Sequence, residues 1–241
     1  RGFHQVTSEA VADTAARNGG SRRIIVMMGA PGAGKGTQAE RLAGALRLPH
    51  ISTGELFREM LKSETPLGQK VRSHVESGGL VPDDVTVRIV EARLAQPDAA
   101  AGAILDGFPR TVAQAEALDE MLDHAGTSVA AVPYIEVGTD LLMERLTGRR
   151  ICTADDQHVY HVAAMPPKKE GICDIDGAEL YQRKDDSEET VQGRLDKQLP
   201  PMFEVVDYYA GNNVLFSVPG DQPPADVTEE LLRLINAKTS A

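Results

Sequence analysis

Short apolar runs separated by amphipathic segments set the pattern of this chain. Arg22-Arg23 gives way to Ile24-Ile25-Val26-Met27-Met28, a continuous apolar run of the kind a strand shows when both faces of a parallel sheet are covered. Ala103 to Leu105, ending at Asp106, repeats the signal, as do Val129 to Val137 and Val214 to Val218. Helical periodicity fills the intervals at Gln38 to Leu46, Gly54 to Lys62, Leu67 to Ser77, Asp84 to Leu94, Val112 to His124 and Thr139 to Thr147. A long helix after Ser187 and a last one from Ala225 to Asn236 follow. This alternation predicts an α/β fold, an open parallel sheet with helices on both faces. Arg150 to Asp186 breaks the rhythm with Cys, His, Pro-Pro, Gly and aromatic residues at loop-like spacing. A structureless loop of that length is improbable in a compact domain, so a small inserted β subdomain is expected there. Residues 1–21 are polar and Ala-rich and end in Gly19-Gly20-Ser21, as in a flexible leader.

Charge and cysteine content narrow the function class. The chain carries 25 basic and 36 acidic residues, a net −11, against the basic footprint that nucleic-acid and membrane-surface binders need. No apolar run approaches the ~18–20 residues that span a bilayer. The leader lacks a secretory apolar stretch and fits a mature organellar N-terminus, an expression remnant or a linker. Two cysteines make no disulfide framework, so a reducing compartment is expected. The cytoplasm is the first expectation, with mitochondrion or chloroplast the alternative if the leader is a transit-peptide remnant.

The first candidate site follows the first strand. Gly29-Ala-Pro-Gly32-Ala33-Gly34-Lys35-Gly36-Thr37 satisfies the phosphate-loop pattern as far as the lysine. Glycines let successive backbone N–H groups converge on an anion, and the helix that follows offers its positive end to the same phosphates. Lys35 can then follow a transferring phosphoryl group as a point charge. Gly36 stands where Ser or Thr usually follows the lysine, and Thr37 comes one residue late for a Mg²⁺ ligand.

Further segments narrow the reading. With Gly29 to Gln38 come His50-Ile-Ser-Thr-Gly-Glu-Leu-Phe-Arg58, Leu105-Asp-Gly-Phe-Pro-Arg-Thr111, Gly148-Arg-Arg150, Gln182-Arg-Lys-Asp-Asp186 and Glu189-Thr-Val-Gln-Gly-Arg194. Over residues 22–240 the chain resembles the adenylate kinases, of the long-lid type, where Gly-Thr after the lysine is the family's own pattern. The resemblance implies a five-stranded P-loop core (22–51, 82–148 and 187–240), a helical AMP-binding insertion (52–81) and a small β lid (149–186). It implies reversible transfer from MgATP to AMP giving two ADP, with ATP, AMP and ADP as partners and a monomeric chain. Lys35, Arg110, Arg149, Arg183, Arg194 and Asp106 take the catalytic positions, Asp106 orienting Mg²⁺ through water. Gly32 to Thr37, Arg145, Arg149, Val159, Tyr160 and Gln222 match ATP contacts. Thr53, Arg58, Gly79, Leu80, Val81, Gly107, Phe108, Pro109, Arg110, Gln114, Arg183 and Arg194 match AMP contacts. Two anionic substrates must be brought together, and guanidinium groups suit that task because they stay charged and bind phosphate bidentately. Asp185 and Asp186 read either as anchors for lid arginines or as ordinary charges at a helix N-terminus. Pro200-Pro201 and Pro219 depart from the family pattern.

In the lid, Cys152, Asp155, Cys173 and Asp176 occupy the positions of zinc ligands in some family members, and His158 lies close by in sequence. Zn²⁺ accepts Cys, His and Asp in a tetrahedral set, so Cys152, Cys173 and Asp176 with either His158 or Asp155 would suffice. A metal-free polar network and a disulfide are the other readings. For the whole chain, a kinase of UMP, CMP or GMP and a non-catalytic adenylate-binding module stand as alternatives, against which Gln114, Thr53 and the full set of lid arginines speak.

Overall fold

The structure, a computed structural model, describes residues 22–61, 71–72 and 80–239. The leader, the expected helix over residues 67–77 except 71–72, and Gly79 lie outside the described residues. The elements are β1 (Arg23–Gly29), α1 (Lys35–Leu46), β2 (His50–Ser52), α2 (Thr53–Leu61), α3 (Asp83–Leu94), β3 (Gly102–Asp106) and α4 (Val112–His124). They continue with β4 (Val129–Glu136), α5 (Thr139–Thr147), β5 (Arg149–Cys152), β6 (Val159–His161), β7 (Leu180–Tyr181), α6 (Glu188–Ala210), β8 (Leu215–Pro219) and α7 (Pro224–Thr239).

Five strands form one sheet in the order β2-β3-β1-β4-β8, and every pairing is parallel. The run in β1 is buried from Ile24 to Gly29, as a central strand covered on both faces requires. The main core continues through Ile104 and Leu105 of β3, Leu118 and Leu122 of α4, and Leu231 and Ile235 of α7. The strand β2 carries no signal of its own along the chain: three residues are too few to show a period. Its place is set by pairing, with Ser52 opposite Asp106 and Ile51 opposite Leu105. A second, antiparallel sheet of order β6-β5-β7 forms the expected insertion. Around it, the small cluster of Cys152, Tyr160 and Cys173 packs with Ala178 and Leu180.

Pro200 and Pro201 sit inside α6 without ending it, although each removes a helical donor. Met202, Val205 and Tyr209 after them remain packed in the main core, and that burial holds the helix together across the prolines. Pro219 ends β8, an edge strand, opposite Glu136. Among the described residues no helix is long and apolar enough to cross a membrane.

Candidate active site

The carboxyl ends of β1, β3 and β2 open into one cleft of about 1100 Å³, beside the point where the strand order turns from β3 to β4. The phosphate loop forms its floor. Gly29 has φ 144°, and a Cβ there would meet the Ile135 carbonyl oxygen at 2.8 Å, so only glycine lets β1 leave the sheet at this point. Lys35 Nζ donates to the carbonyl oxygens of Gly29 (2.8 Å) and Ala30 (2.9 Å), which draws the ammonium over the loop mouth. Burial holds its pKa down to about 8; Asp106 opposes the shift, while Arg110, Arg194 and Arg149 add to it.

Asp106, the last residue of β3, faces His50 at the start of β2, with Oδ2 3.5 Å from Nε2. Burial works against both charges, yet each group favours the other's charged form. The His50 imidazole is therefore raised and the Asp106 carboxyl lowered from their ordinary values. A Cβ at residue 36 would stand 3.4 Å from Asp106 Oδ2, so Gly36 leaves that side of the carboxylate open. His50 escaped the sequence reading because one histidine opening a strand carries no chemical signal until its neighbour across the sheet is known.

The residues expected to face AMP form a tightly bonded corner. Gly107 has φ 77°, and a Cβ there would lie 2.8 Å from both Arg110 Nη2 and Thr53 Oγ1. The bare backbone lets both side chains close in: Thr53 Oγ1 and Arg110 Nε each donate to the Gly107 carbonyl at 2.8 Å. Gln114 Oε1 accepts from the Arg110 amide (2.8 Å) and its Nε2 donates to Asp83 Oδ1 (2.7 Å). Asp83 also accepts from Thr111 Oγ1, and this network fixes which way the Gln114 amide faces. Asp83 was missed in the sequence because an acid in the first turn of a helix is ordinarily a dipole partner.

Lys35, Arg58, Arg110, Arg145, Arg149, Arg183 and Arg194 all line this cleft, with Gly32 to Thr37, Leu80, Val81, Gly107, Pro109, Gln114, Val159, Tyr160 and Gln222. Arg145 Nη2 donates to the Gly220 carbonyl at 2.8 Å, which holds the guanidinium beside the loop after β8. Two of the expected residues stand behind the wall instead. Phe108 is 1% exposed in the main core, because the turn after β3 points its ring inward; Thr53 is likewise buried, its hydroxyl committed to Gly107.

The acids after Arg183 anchor two of the cleft arginines, Arg149 and Arg194. Arg149 binds the fully buried Asp186 through two bonds, Nε to Oδ2 at 2.8 Å and Nη2 to Oδ1 at 2.6 Å. Arg194 Nη1 donates to Asp185 Oδ2 at 2.8 Å. These pairs fix the direction of the two guanidiniums.

Beside the small antiparallel sheet, both cysteines are free thiols, which removes the disulfide reading. Candidate ligand atoms of Cys152, His158, Cys173 and Asp176 lie within 4.8 Å of one another. Asp176 Oδ2 is 3.0 Å from His158 Nδ1 and 3.3 Å from Cys152 Sγ, and Cys173 Sγ is 3.5 Å from His158 Nδ1. Such separations match neighbouring ligands around a tetrahedral ion with bonds of about 2.0–2.3 Å. Asp155 does not join the group. Its Oδ1 accepts from the Gln157 amide, and its Oδ2 stands 3.6 Å from the other ring nitrogen of His158. The turn between β5 and β6 therefore presents the histidine to the cluster and leaves Asp155 behind it.

A family model described as adenylate kinase matches residues 27–214. The chain is 51% identical over 211 residues to an adenylate kinase of Bacillus subtilis, covering 88% of this chain and 97% of that protein. An adenylate kinase of Streptomyces coelicolor is 48% identical over the same shares, and one of Staphylococcus aureus is 47% identical over 88% of this chain and 98% of that protein. A phosphate loop at the switch point of a parallel sheet, a cleft lined by arginines and this agreement over most of the chain lead to one conclusion: the chain belongs to the adenylate kinase family.

Proposed function

We propose that the cleft moves the terminal phosphoryl group of MgATP directly onto AMP, giving two ADP, with the following division of labour. The observation that carries this reading is the convergence of Lys35 and five guanidinium groups, those of Arg58, Arg110, Arg149, Arg183 and Arg194, on one cleft of a chain whose net charge is −11. Such a cleft focuses anions and offsets the repulsion between two phosphorylated substrates. The phosphate loop holds ATP with Lys35 beside the transferring group, and Arg145, Val159, Tyr160 and Gln222 receive the adenosine. Arg58 and Arg110 hold the AMP phosphate in line, and Arg149, Arg183 and Arg194 stabilise charge on the group in flight. Among the described residues, Gln114 keeps one lone pair and one N–H unused after its bonds to Arg110 and Asp83, a donor–acceptor edge suited to adenine. Asp106 and Thr37 would hold Mg²⁺ with its waters, and the ion would neutralise charge on the phosphates. Residues 52–81 and 149–186 act as two arms that close over the core and exclude water.

The test is ADP formation by the purified protein with ATP, Mg²⁺ and each of AMP, CMP, GMP and UMP. AMP should be the preferred acceptor; no turnover, or preference for another base, would overturn the assignment. The lowered pKa of Lys35 adds a second expectation. Its charge is present below pH 8 and is lost as pH rises through that value in the empty cleft, so kcat/KM for ATP should fall with an apparent pKa of about 8. A profile flat to pH 9.5 would remove Lys35 from ATP capture.

In the lid, the donor set supports a structural zinc ion held by Cys152, His158, Cys173 and Asp176. The purified protein should contain about one zinc per chain, and His158→Ala should lower both zinc content and Tm. Full-length protein prepared with zinc present yet free of it would leave the polar network as the lid's support. The chain works as a monomer in a reducing compartment, the cytoplasm.

A further inference from the structure

Asp156 lies in the turn between β5 and β6. Unlike Asp155, its side chain faces the cleft. Its Oδ2 is 2.8 Å from Arg58 Nε, on α2 of the opposite wall, and 4.0 Å from Arg183 Nη2. The other acids of this insertion that pair with arginines meet partners elsewhere: Asp186 meets Arg149, and Asp185 meets Arg194 of α6. Asp156 thus reaches from the lid across the cleft to the AMP-binding arm, and places a carboxylate between two guanidiniums.

We infer that Asp156 is an internal competitor of the acceptor's phosphate: in the ligand-free protein the lid inserts this carboxylate among the cations that receive AMP, and AMP must displace it. The inference rests on the proposed assignment of Arg58 and Arg183 to AMP. The side chains of Arg58 and Asp156 remain 33% and 37% exposed, although Arg58 Nε itself is buried and is not aligned to donate to the carboxylate, so the contact is a charge pair that a dianionic phosphate can replace from its exposed side. A phosphate offers more acceptor oxygens and more charge than a carboxylate to the same guanidiniums, so it wins when AMP is present. When ADP leaves, the carboxylate returns, which keeps the cleft from holding product too long. The pair also ties the lid to the AMP-binding arm, so the ligand-free protein is more compact than it would be without it.

The test compares the wild type, Asp156→Asn and the charge-preserving Asp156→Glu in the full chain. Removing the charge should lower KM for AMP about three- to fivefold, the range such an ion pair can supply, while KM for ATP stays within about twofold. Small-angle X-ray scattering of the ligand-free protein should give a larger radius of gyration for Asp156→Asn than for the wild type or Asp156→Glu. An unchanged or raised KM for AMP in Asp156→Asn overturns the inference, as does an equal fall in KM for ATP, which would mean a general gain of positive field. A lowered KM for AMP with no change in radius also overturns it, because the carboxylate would then act by simple repulsion and not as a latch. Failure of the proposed reaction is separate: it would show as absence of ADP formation by the wild type, whatever the scattering reports.

Discussion

Replacing Lys35 with methionine is expected to lower kcat by about 10²–10³-fold, the loss typical when one preorganised charge at a transferring group is removed. Methionine keeps the length and the apolar stem, so the change isolates the ammonium. The fold should survive it. Burial already disfavours the charged form of Lys35, and the variant loses only two bonds to carbonyls of the phosphate loop. Thermal unfolding should therefore show a Tm close to the wild-type value while steady-state turnover collapses. A kcat within a few-fold of wild type would mean that the ammonium does not follow the phosphoryl group, and that its present bonds to Gly29 and Ala30 are its whole role.

The second large effect is expected at Arg149, where function and stability are entangled. Arg149→Ala should lower kcat by about 10²–10³-fold through loss of a bidentate phosphate donor. It should also lower Tm by several degrees, since Asp186 is fully buried and would lose both of its short bonds. Arg194 Nη1, 3.6 Å from Asp186 Oδ1, can compensate only in part. The double change Arg149→Ala with Asp186→Asn should restore much of the Tm without restoring turnover. Recovery of both together would make Arg149 a structural group alone. Arg149→Lys should keep the charge but lack the planar fork, so its turnover should lie closer to alanine than to arginine.

Much of the fold was readable along the chain because its signals are local. The helices Val112–His124 and Thr139–Thr147 have the bounds that their periodicity predicts, and β1 is as buried as its unbroken apolar run demands. The strand β2 was not readable, since three residues cannot show a period and its partner lies about 50 residues away. Phe108 shows the same limit at the site: a motif names the residue, but only the path of the turn decides that its ring enters the core.

The sequence by itself determined that a phosphate-loop pattern runs from Gly29 to Thr37, that several arginines stand in motifs beyond it, and that an insertion interrupts the second half of the chain. Glycine placement, apolar runs and charge types are properties of neighbouring residues, and they survive without coordinates. The tertiary structure decided the partnerships. His50 faces Asp106, Asp83 orients Gln114, and Asp186 holds Arg149. It also chose His158 over Asp155 for the lid cluster and turned Asp156 toward Arg58. Each of these depends on groups far apart in the chain meeting within about 4 Å, where charge and hydrogen bonding act strongly, and no spacing along the sequence encodes that meeting.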